Sequence, residues 1–134
     1  MENTYNLLKS FFSLWLCILC ALPSFHLHAE ETEPQAYVIH PKNGDVVSSP
    51  FKVVFGLKNF GVVPAGIDLE FAGHHHLFVN SVGIDYSKPI PADKNHLHFG
   101  KGQTETVLDL EPGEYQLQLV LGNYLHIPFN PVSY

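Results

Sequence analysis

The sequence predicts an all-β fold, and three features carry that expectation: Gly and Pro that cut the chain into short runs, apolar residues that alternate with polar ones, and no stretch that sustains a 3.6-residue period for three turns. Pro41, Gly44, Pro50, Gly56, Gly61, Pro64, Gly66 and Gly73 leave pieces too short for helices. A chain of 134 residues has room for one ordinary domain.

The first element in chain order lies outside that domain. Leu7 to Leu22 is almost continuously apolar, carries Lys9 near its start after a short polar lead, and gives way to "FHLHAEE". At 16 residues it is shorter than the roughly 20 that span a bilayer, so residues 1–29 read as a secretory signal peptide cut after Ala29. The product is expected to be exported, to a periplasm or the extracellular space, with no stable membrane anchor after cleavage. Residues 30–35, "EETEPQ", read as a flexible linker, and residues 36–134 as the folded domain.

Within the domain "AYVIH" (Ala36–His40) is the first strand. In "FKVVFGLK" Phe51, Val53, Phe55 and Leu57 share one face, while Lys52, Val54, Gly56 and Lys58 share the other. "HHHLFVN" (His74–Asn80) is a third strand and "TETVLDL" (Thr104–Leu110) a fourth. The turn "EPGE" (Glu111–Glu114) joins the fourth to "EYQLQLVL", where Tyr115, Leu117, Leu119 and Leu121 alternate with Gln116, Gln118 and Val120. About five strands at short spacing point to an antiparallel β-sandwich of immunoglobulin type. The connection from Ser81 to Asn95 has no periodicity and exceeds the usual loop length, as functional loops often do.

Composition excludes several functions. All seven cationic residues are Lys, and thirteen acidic residues set the net charge at −6, a poor surface for nucleic acid, whose phosphates need basic clusters. Cys17 and Cys20 leave with the leader, so the domain has no disulfide, no thiolate ligand and no cysteine nucleophile. The one Met is the initiator, which excludes a thioether site for Cu(I).

Seven of the nine histidines lie beyond the leader: His40, His74, His75, His76, His96, His98 and His126. On a strand His74 and His76 point the same way, as do His96 and His98. Two such pairs on neighbouring strands, completed by His126, would form a nitrogen-rich site for a divalent transition metal, copper or zinc. His74, His76, His96, His98 and His126 are thus the candidate ligands.

Register decides which of these imidazoles converge. With Leu77 and Val79 in the core, His75 goes inward and His74 and His76 face outward beside Phe78; a slip of one residue reverses the assignment. The competing reading is a structural or protein-interaction module in which the histidines hydrogen-bond the Ser81–Asn95 loop and hold it to the sheet. His40, beside Pro41, reads as an ordinary surface or turn residue.

No catalytic residues are expected. Ser81, His76 and Asp85 form a trio on paper, without the context of an activated serine. A metal-dependent hydrolase would need a carboxylate, for which Asp93 and Glu105 are the candidates, neither at a diagnostic spacing. "GKGQTET" lacks the phosphate-loop spacing and reads as a glycine turn entering a strand.

The segments "HPKNGDVVSSPFKVVFGL", "GVVPAG", "GHHHLFVN" and "PIPADKNHLHFGKGQTETVLDLEPGEYQLQLVLGNYLHIP" resemble an exported bacterial family, the domain of unknown function 4399 (DUF4399). The resemblance implies an all-β, immunoglobulin-like domain and no established activity. Its histidine segments match His74, His75, His76, His96, His98 and His126, and Gly100, Gly102, Gln103, Thr104 and Glu105 fit its pattern. Tyr115 departs from it, standing where such proteins often carry another histidine. Proteins of this type also continue into a final strand, whereas this sequence stops at Tyr134. The expectation is a sandwich short of its last strand, whose open edge pairs with a protein partner or a second copy.

Overall fold

A computed structural model describes residues 35–81 and 83–130. The expected leader (1–29), most of the linker (30–34) and the chain end (131–134) lie outside them. The described residues are all-β, with no helix and therefore none long and apolar enough to cross a membrane.

Seven strands follow one another among the described residues: β1 Gln35–His40, β2 Phe51–Lys58, β3 Gly61–Val62, β4 Ala72–Val79, β5 His96–His98, β6 Glu105–Leu108 and β7 Leu117–Gly122. They form two sheets. One has the order β1-β2-β6, with both pairs antiparallel. The other is built on β4, which pairs antiparallel with β5 and β7 and parallel with the two-residue β3. That parallel pair corrects the wholly antiparallel expectation.

Backbone geometry explains how β4 takes three partners. Alternate residues of a strand direct their carbonyls to the same edge. The Phe71 and Gly73 carbonyls accept from Gly61 and Val63 N–H, and the His75 carbonyl accepts from Phe99 N–H. So β3 and then β5 follow one another along a single edge of β4, and the other edge is left to β7.

Val53 and Phe55 of β2, Leu77 and Val79 of β4, Leu108 of β6, Leu119 of β7 and Phe99 form one apolar cluster between the sheets. The alternation in "FKVVFGLK" has the predicted sense, and Phe51 and Leu110 pack at the margin of the cluster. β7 begins later than its apolar pattern, because Gln116 N–H donates to the Asn80 side chain and Tyr115 Oη–H to the Glu111 carbonyl. Those groups serve the turn rather than the ladder.

A second, smaller cluster sits on the opposite face of β4. Phe78 and Val120 pack there against Ile90 and Ile84, both from the Ser81–Asn95 connection. β4 is consequently buried on both faces along all eight residues, as is usual for a strand covered front and back. After β7 the chain turns at Asn123–His126 and returns antiparallel, with Pro128 bridged to Gly122 and Phe129 N–H donating to the Leu121 carbonyl.

Leu77 has no exposed surface, so Leu77→Ala should lower unfolding free energy by about 2–5 kcal/mol, as cavity-forming substitutions do. Val107, 60% exposed on β6, should tolerate Ala within about 0.5 kcal/mol. Urea midpoints of the two variants check the assignment of faces.

Candidate metal centre

The period of two along β4 sorts its three histidines. His75 shares the face of Leu77 and Val79, where its ring lies 5.2 Å from that of Phe55 and its Nδ1 is 3.0 Å from the Gln103 carbonyl. His74 and His76 take the other face with Phe78. Of the two registers open to the sequence, the fold has the one with Leu77 in the core.

Neighbouring elements bring further imidazoles to His74 and His76. The β4–β5 register sets His98 opposite His76. The turn after β7 delivers His126, whose ring centroid is 4.8 Å from His74, 5.8 Å from His76 and 4.9 Å from His98. The Nε2 atoms of His74 and His76 are 3.0 Å apart. One ligand nitrogen from each of His74, His76 and His98 can be chosen so that all lie within 4.8 Å of one another.

Local backbone makes this possible. His126 has φ +65°, a left-handed conformation uncommon for a side-chain-bearing residue. The Asn123 carboxamide holds it by accepting from Leu125 and Ile127 N–H, while His126 N–H donates to the Asn123 carbonyl. Two glycines leave space for rings. A Cβ on Gly122 would stand 3.1 Å from His76 Nε2, and one on Gly100 would overlap the His98 ring.

Burial and mutual repulsion favour the neutral form of His74, His76 and His98. Desolvation, then the neighbouring His126, His98 and His75, push the His74 pKa down from 6.5 to about 4. Desolvation followed by His74, His98, His126 and His75 pushes His76 to about 3. His98 is also lowered, by desolvation and His126. His75 is lowered by burial, against a smaller opposing effect of its bond to Gln103. Neutral imidazoles keep lone pairs available to a metal at neutral pH.

Three of these nitrogens are expensive. His74 Nδ1, His75 Nε2 and His76 Nδ1 are buried without a hydrogen-bond partner. A buried polar atom left unpaired costs about 1–3 kcal/mol.

The remaining candidates lie elsewhere. His96, on β5 opposite Phe78, uses both ring nitrogens: Nδ1 is 2.8 Å from Asp93 Oδ1 and Nε2 is 2.9 Å from Ser81 Oγ. It closes the Ser81–Asn95 connection instead of joining the other four. Glu105 is an exposed partner of Lys52, and Asp85 bonds Ser87 and Lys88. Ser81, His76 and Asp85 therefore each have other partners. His40 ends β1 and is exposed. The glycine turn of "GKGQTET" is present, with Gly102 at φ +78°.

The sequence reading gave no role to Gly122 or Asn123. The "GN" dipeptide three residues before His126 is a turn signal that could have suggested one.

The family model described as a domain of unknown function (DUF4399) matches residues 53–134. No curated protein and no solved structure matches the chain.

Because the folded pKa values of His74 and His76 lie below 6.5, the unfolded chain binds protons that the native chain does not. Stability should be full above about pH 7 and fall steadily as pH drops from 6.5 towards 4 and 3. Asp85, depressed from 3.8 to about 2, loses its contribution only below about pH 3.8, at the acid end of that window. Urea midpoints at pH 7.5 and pH 4.5 without metal should differ clearly, and a flat profile over this interval would contradict the neutral cluster.

Proposed function

We propose that this chain, which belongs to the DUF4399 family, is an exported metal-binding module in which His74, His76 and His98 hold a divalent copper or zinc ion beside His126. The carrying observation is the approach of three ligand nitrogens, from two paired strands, to within 4.8 Å of one another. The scaffold is read as an immunoglobulin-like sandwich; its short antiparallel strands and shared core between two sheets support that.

Distances favour a shared ion. Two Zn–N bonds of about 2.0–2.1 Å at a tetrahedral angle separate their nitrogens by about 3.4 Å. His74 and His76, at 3.0 Å, need only a small adjustment. His98 carries an exposed side chain and supplies the movable third ligand. A site of imidazoles suits Zn²⁺ and Cu²⁺ and is a poor one for Mg²⁺ or Ca²⁺, which require oxygen.

Orientation comes from ring packing and from the glycine gaps. An imidazole bound through one nitrogen ordinarily donates its other N–H to a carbonyl or carboxylate, and outer partners of that kind are worth about 10–100-fold in affinity. The Nδ1 atoms of His74 and His76 have no such partner. These features favour an ion that exchanges over one locked in place, and they support a handling role better than a structural one. At the imidazole cluster the reading is binding without catalysis, since Asp93 and Glu105 are engaged outside it.

A second reading has its own observation. The Ser81–His96–Asp93 bonds support loop fixation as the role of that one histidine.

Calorimetric titration of the purified protein with Zn²⁺ and Cu²⁺ tests the proposal. One site per chain is expected; ligand at 100 times Kd should stabilise the fold by about 2.7 kcal/mol and raise Tm. His98→Ala should abolish or strongly weaken binding, whereas His96→Gln should retain it. Failure of both metals to bind would refute the reading.

Gly100→Ala gives an independent check. A methyl at that position must displace the His98 ring, so affinity should fall at least tenfold while the metal-free Tm changes little.

A further inference from the structure

The clasp on the Ser81–Asn95 connection has the order of a nucleophile relay. Asp93 Oδ1 accepts at His96 Nδ1, 2.8 Å away, and His96 Nε2 lies 2.9 Å from Ser81 Oγ. With the Nδ1 proton directed at the carboxylate, Nε2 is left as the acceptor for the serine proton, which is the arrangement that activates a serine irrespective of fold. We infer that Ser81 is an activated nucleophile that takes an acyl group from small activated esters, with His96 as its base and Asp93 as the positioning residue.

Several contacts preorganise the three groups. Asp93 is aimed by accepting Asn95 N–H at 2.8 Å on the same Oδ1. The Asn95 side chain donates to the Val79 carbonyl at 2.7 Å, tying this segment to the end of β4. The edge of the His96 ring meets Phe78, with centroids 4.6 Å apart and planes at 86°, which restricts ring rotation. At the other end Asn80, immediately before Ser81, sits at φ +51° and is pinned to Gln116 by its N–H and by its Oδ1. A chain reversal held in that conformation presents the next side chain away from the ladder. Ser81 and Asp93 remain partly accessible, and the His96 side chain retains 16% of its surface.

The step balances within these residues. Ser81 Oγ bonds to the carbonyl carbon while its proton passes to His96 Nε2. Collapse of the tetrahedral adduct breaks the bond to the ester oxygen, and the Nε2 proton leaves with the alcohol. Water then releases the acid by the same route and restores the serine. Proton transfer of this kind contributes about 10²–10⁴-fold, so slow acylation by activated esters is expected rather than rapid turnover.

The test is labelling of the full chain with an alkyl fluorophosphonate in the presence of EDTA. Ser81 Oγ would displace fluoride, and peptide mass spectrometry would locate the adduct. The expected result is one adduct at Ser81, absent from Ser81→Ala and formed at least about 100-fold more slowly by His96→Gln. Circular-dichroism melts of both variants confirm that they are folded. A far-downfield His96 Nδ1 proton resonance should be present and should vanish in Asp93→Asn, with Asp93→Glu restoring part of the labelling rate. No adduct on the folded protein, or labelling indifferent to His96→Gln, would overturn the inference and leave the three residues as a loop clasp only. Val107→Ala, on the exposed face of β6, should label like the parent, and labelling that persists in EDTA separates this site from the imidazole cluster.

Discussion

The whole arrangement depends on one strand being covered on both faces. β4 has β7 along one edge and β3 with β5 along the other, the main core behind it and the Ile84–Ile90 segment in front. Its period of two then becomes a sorting rule: His75, Leu77 and Val79 take the face of the main core, and His74, His76 and Phe78 take the other. The three β4 histidines inherit their places from that rule.

A strand of this kind usually reads as a continuous apolar run. Here three of eight residues are histidines, and they are among the most completely buried side chains among the described residues. Burial holds His74 and His76 neutral, and repulsion among four close rings pushes in the same direction. The uncharged state removes the cost of burying a cation but leaves orphan ring nitrogens. The cluster is thus a local departure from good packing, of the sort expected where a fold accommodates a ligand.

The two H-x-H pairs, alike in sequence, diverge in space. His98 pairs with His76 and faces three other imidazoles, whereas His96 pairs with Phe78 and meets Ser81 and Asp93. Two residues along β5 correspond to about 6.6 Å, and over that distance the neighbouring side chains change from imidazoles to an aromatic ring and a hydroxyl. One short strand thereby serves both the imidazole cluster and the loop.

What the residues alone determined was the all-β class, the strands on which alternation is strict, and the faces of "FKVVFGLK", because period-two patterning is a local property of the chain. They also marked His74, His76, His96, His98 and His126 as candidate ligands by type and spacing, of which His96 lies apart from the other four. Tertiary structure decided what local pattern cannot. The register of "HHHLFV" followed from partners far along the chain, since both its faces are buried and polarity gives no preference. The parallel β3 pair is two residues long and carries no periodic signal. The separation of His96 from His98 depends on which β4 residue lies opposite each, and a pairing register is a relation between distant segments that neither one encodes by itself.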